Sequence, residues 1–97
     1  LALEDDVQLA VARAALELDQ ARRAELLVRD RLLPAAGEQL ATARATYAAG
    51  GSSFFDLLDA LRELHELELD HATARARIAQ RRAELDRALG RLPGLTW

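Results

Sequence analysis

From Leu57 to Ala88 the chain sets Leu57, Ala60, Leu64, Leu67, His71, Ala74, Ile78, Arg81, Leu85 and Ala88 at intervals that alternate between three and four. An α-helix turns once in about 3.6 residues, so this alternation holds one helical face toward one neighbour. A strand, with its period of two, cannot satisfy it. A second stripe, made of Leu61, Leu69, Ala72, Ala76, Ala79 and Ala83, follows another face. A two-helix pair needs one seam per helix, so a further seam of small residues predicts a further neighbour that approaches closely.

The chain upstream carries the partner for the first seam. Val7, Val11, Ala14, Leu18 and Ala21 keep the three-four spacing, and Val28, Leu32 and Ala35 continue it, with Glu25 as the exception. Leu33, Ala36, Leu40, Ala43 and Tyr47 then repeat the spacing in a displaced frame. Pro34 and Gly37 lie where the frame changes. A proline in a helix interior removes one hydrogen bond and clashes with the preceding turn. The helix is therefore either kinked near Leu33 or ends and restarts there. Arg31-Leu32-Leu33 is poor loop material and Asp30 is the one candidate cap, which favours a continuous, kinked helix over residues 3–49. Its first turn is acidic at Glu4, Asp5 and Asp6, as the helix dipole favours.

Between the two arms stands Tyr47-Ala48-Ala49-Gly50-Gly51-Ser52-Ser53-Phe54-Phe55-Asp56. Gly50 is placed to take the left-handed conformation that ends a helix. Ser53 with Asp56 three residues on reads as a capping-box start. The expected organisation is one antiparallel helical hairpin: helix 3–49, turn 50–53, helix 54–89 and a tail over 90–97, with Gly90 and Pro93 as the stop. Both phenylalanines of the chain, Phe54 and Phe55, sit beside the break, which a turn by itself does not require. The plain reading is a staple, in which one ring packs back on Tyr47. The other ring is then expected to face outward, as an anchor for a partner.

Composition excludes several functions. The 97 residues carry a net charge of −3 with acids and bases interleaved, and no basic patch with interspersed aromatics that would suit nucleic acid. There is no cysteine, hence no disulfide and no thiolate metal site. No stretch approaches the roughly 18 uninterrupted apolar residues of a membrane helix. Half of the residues are apolar, but alanine supplies much of that count and buries little area, so an isolated core is expected to be thin. The start at Leu1 reads as an excised or processed piece, without a leader sequence.

Few constellations invite chemistry. Glu68-x-x-His71 has the ligand spacing of di-iron helical bundles, but such a site needs a second copy and two more glutamates. His71 is better read as a polar residue in the seam. His65 points elsewhere and is expected to be exposed. Arg75, Arg77, Arg81 and Arg82 are flanked by Glu84 and Asp86, the pattern of a salt-bridged surface. No nucleophile, phosphate loop or cofactor motif is present, so no enzyme and no cofactor is expected.

The ordered set Leu33-Pro34-Ala35, Tyr47-x-x-Gly50, a hydrophobic pair, Asp56-x-Leu58-Asp59-Ala60 and a closing run from Leu85 to Gly90 resembles the last coiled-coil hairpin of the TolC-type outer-membrane efflux proteins. The likeness spans about Asp30 to Gly90. It implies an all-α hairpin that forms part of a trimeric α-helical tunnel in the periplasm of a Gram-negative cell. The full-length protein would be a homotrimer that meets a periplasmic adaptor protein and, through it, an inner-membrane pump. It would export small molecules or metal ions. The resemblance places Asp56 and Asp59 at the channel mouth. It places Tyr47, Gly50, Gly51, Ser52, Ser53, Phe54 and Phe55 at the adaptor-docking tip. Where some relatives carry a basic or longer polar residue in the turn, this chain has Gly51, Ser52 and Ser53. The family's β-barrel strands and first hairpin are not in the sequence. A self-contained coiled-coil interaction module is the alternative reading.

Overall fold

The computed structural model describes residues 2–92. Over those residues the chain is all-α: α1 (Ala2–Leu27), a π-helical turn (Val28–Leu32), α2 (Leu33–Ala48) and α3 (Phe54–Leu89). Gly90 closes α3 by donating its N–H to the Asp86 carbonyl at 3.1 Å. Pro93 and most of the expected tail over 90–97 lie outside the described residues. None of the described helices is long and apolar enough to cross a membrane.

The chain forms two compact units, one from residues 25–73 and one from residues 1–24 with 74–97. In the first unit, α2 and the beginning of α3 run antiparallel about a seam. Ala36, Leu40 and Ala60 are buried there, with Leu33, Ala43, Leu57, Leu64 and Leu67 half-buried around them. In the second unit, α1 pairs with the end of α3. Ala14, Leu18, Ala21 and Ala88 are buried, flanked by Val7, Val11, Ile78 and Leu85. Every residue of the main α3 stripe is buried or half-buried, as its spacing requires. Leu61, Leu69, Ala72, Ala76, Ala79 and Ala83 are exposed. Most of the core is alanine and, among the described residues, no side chain is fully buried, so each pair of helices buries little apolar area by itself.

The interruption expected at Pro34 takes a specific form. The helix neither ends nor restarts; it widens over Val28–Leu32, where the Leu33 N–H reaches back to the Val28 carbonyl five residues earlier. Such a turn holds one residue more than an α-turn. The seam therefore passes from Val28 directly to Leu33, and Leu32 and Ala35, which the spacing alone assigns to the seam, are exposed. Pro34 directly follows the wide turn, at the first positions of α2, so the N–H it lacks falls where the π turn already interrupts the regular four-residue hydrogen-bond ladder.

Candidate functional site

The turn is built by its backbone. Gly50 has φ +77°, the left-handed conformation that residues with a side chain rarely adopt. The Gly51 N–H donates to the Thr46 carbonyl at 2.8 Å and the Gly50 N–H to the Tyr47 carbonyl at 3.0 Å. These two bonds make a Schellman motif and satisfy carbonyls that the end of α2 would otherwise leave open. Thr46 reinforces that end, its Oγ1 donating to the Thr42 carbonyl at 2.8 Å. On the other side, the Ser53 Oγ accepts the Asp56 N–H at 3.3 Å and caps α3. The Ser52 Oγ is enclosed by the turn without a hydrogen-bond partner among the described residues.

The two phenylalanines differ in their surroundings. Phe54 meets Tyr47 edge to face, with ring centroids 6.0 Å apart and planes at 64°. This contact joins the end of one arm to the start of the next across the turn. Phe55 carries no such contact among the described residues and is 73% exposed. Phe54 is itself 55% exposed, so the tip presents two aromatic surfaces to solvent. Ring faces held in place by a turn and offered to water are the kind of surface that anchors a partner.

Asp56 and Asp59 stand one turn apart on the same side of α3, both exposed. With Glu63 they wall a shallow groove beside the turn, faced across the seam by Gln39 and Thr42 and floored by Ala43 and Ala60. The groove is acidic on one wall and uncharged on the other. Arg62 Nη1 approaches Asp59 Oδ1 only to 3.8 Å, at the surface. Three carboxylates on one helical face attract cations and repel anions.

Away from the tip, one contact explains two exceptions that the sequence pattern leaves separate. Glu25 interrupts the seam of the first arm and His71 that of the second. The His71 Nε2 lies 2.7 Å from the Glu25 Oε2, and Arg29 Nη1 lies 3.5 Å from the Glu25 Oε1. Only 8% of Glu25 is exposed. The alternation of apolar positions marks each residue as anomalous, but no local signal shows that they meet across 46 positions of chain. His71 thus belongs to a cross-arm pair, and no group of three or more histidine, aspartate and glutamate side chains converges as a metal site among the described residues. In the arginine run, Arg81 donates to Glu17 at 3.2 Å and to Glu84 at 3.1 Å, while Arg75, Arg77 and Arg82 are exposed.

Against known proteins, the family model described as "Outer membrane efflux protein" matches residues 5–91. No curated protein and no solved structure matches at a significant level. The match takes in both arms and the turn between them, well beyond the tip motif. The chain belongs to the outer membrane efflux protein family.

Proposed function

We propose that this chain forms a stretch of the periplasmic tunnel wall of an outer-membrane efflux channel and docks an adaptor protein at its turn. In this reading the full-length protein is a homotrimer in a Gram-negative cell, coupled through the adaptor to an inner-membrane pump. It passes small molecules or metal ions outward. The exposed stripe of Leu61, Leu69, Ala72, Ala76, Ala79 and Ala83 is where neighbouring wall helices pack. Asp56 and Asp59, repeated by symmetry, set a ring of negative charge at the mouth. The segment's work is mechanical and electrostatic, and it performs no bond chemistry.

The observation that carries this reading is the division of labour between the paired rings. Phe54 is spent on closing the turn against Tyr47, and Phe55, its neighbour, is presented outward at the tip. A turn built only for its own stability has no use for the second ring. The test is Phe55→Asp in the full-length protein in its native host. Cross-linking from the tip to the adaptor should fall and sensitivity to exported compounds should rise, while trimer abundance in the outer membrane stays unchanged. Undiminished cross-linking and full efflux would remove the tip from the docking surface.

A further inference from the structure

From the last residue of the π-helical turn onward, residues come in like pairs: Leu32 with Leu33, and Ala35 with Ala36. In each pair the second member faces the seam and the first faces solvent. The π turn decides this, because the one residue it adds rotates everything beyond it by about 100°. If the same wide turn lay after Ala36 instead, the seam would run Val28, Leu32, Ala35, Leu40. Its chemistry would be unchanged. Both ends of this freedom are closed. A shift toward the N-terminus would bring Arg29 into the place of Val28 and take Glu25 away from His71. A shift past Leu40 would put Gln39 in the seam. Gly37 lies inside the span the turn would then occupy, with nothing within 4 Å of where a Cβ would stand.

We propose that residues 32–36 form a one-residue register switch, with Pro34 as the pin that selects the observed register. With the π turn before it, Pro34 occupies the first turn of α2. With the π turn after it, Pro34 would sit inside a regular α-helix, lacking its hydrogen bond and pressing on the Asp30 carbonyl. The paired leucines and alanines make the two registers equal in burial; the proline makes them unequal in backbone energy. The device lets this stretch rotate within the pair of arms while both its ends stay packed.

The chain has no cysteine, so single-thiol labelling reads the register directly. Leu32→Cys, Leu33→Cys, Ala35→Cys, Ala36→Cys and Leu40→Cys are each made in the full chain, with and without Pro34→Ala, and labelled with a maleimide. With proline present, the thiols at 32 and 35 should label quickly and those at 33 and 36 slowly. Pro34→Ala should raise labelling at 33 and 36 by up to roughly a hundredfold, the factor that matches a proline's penalty in a helix interior. Labelling at 40 should stay slow. Unchanged protection at 33 and 36 in Pro34→Ala would overturn the proposal. So would protection of 32 and 35 in the presence of proline, or a parallel rise at 40, which is loosening and not a change of register.

Discussion

The His71 Nε2–H donates a hydrogen bond to the Glu25 carboxylate over 2.7 Å, and each of these residues occupies the seam position of its own arm. A carboxylate in a coiled-coil seam is costly unless paired, because it loses water that only another polar group replaces. The pair ties the two arms of its unit in one register. A one-step slip would leave Glu25 facing an apolar side chain.

Removing one partner is therefore worse than removing both. His71→Ala is expected to destabilise the chain by about 1–3 kcal/mol, since it leaves a buried carboxylate with only the longer Arg29 contact. Glu25→Leu combined with His71→Leu should be close to neutral or stabilising. Urea unfolding of Glu25→Leu, His71→Leu and the double variant measures the coupling.

The glycines divide by conformation. Gly50→Ala forces a side chain into the left-handed region at φ +77° and is expected to cost about 1–2 kcal/mol. Gly37→Ala adds a methyl in a helix with nothing within 4 Å and should stabilise by about 0.5–1 kcal/mol. Opposite shifts of the thermal midpoint check both at once.

Neighbouring leucines in α1 should behave differently by an amount that burial sets. Leu18 is 6% exposed and Leu16 61%. Leu18→Ala is expected to cost about 2–4 kcal/mol, and Leu16→Ala less than about 0.5 kcal/mol in this chain alone. Denaturant titration of both variants tests the assignment of the seam.

At the π turn, the Arg29 Nε donates to the Asp30 Oδ1 at 2.9 Å. That hydrogen bond is the main reason the Asp30 carboxyl lies below its ordinary value of 3.8; slight desolvation opposes it and the Arg29 charge adds to it. The Arg29 guanidinium is raised in turn by the same bond and by the charges of Asp30 and Glu25. A lowered acid stabilises the fold above its unfolded-state value, and that contribution is lost as pH falls through the folded-state value. The contribution is thus fully present near neutrality and is lost only in acid, below the ordinary carboxyl range. Carboxyl NMR titration should show Asp30 returning toward 3.8 in Arg29→Met.

Much of the architecture was legible because it rests on short-range rules. The α3 seam follows from spacing alone, and each residue assigned to it is shielded. Gly50 at the helix end and Ser53 at the next helix start are local hydrogen-bond solutions that the residue types announce. The frame change near Pro34 was visible too, but its form was not. Leu32 and Leu33 are chemically alike, so composition could not say which one faces inward. The candidate tip was legible as a pair of phenylalanines; which of them closes on Tyr47 was not.

The sequence by itself determined two helical arms, the turn between them and the faces they would bury, since helix period, capping and glycine's left-handed freedom act within a few residues. Only the tertiary structure decided that Glu25 meets His71, that a π turn absorbs the extra residue, and that Phe55 is the ring left outward. These depend on which side chains face one another across the arms, and packing distances between residues far apart in the chain are not written in any local pattern.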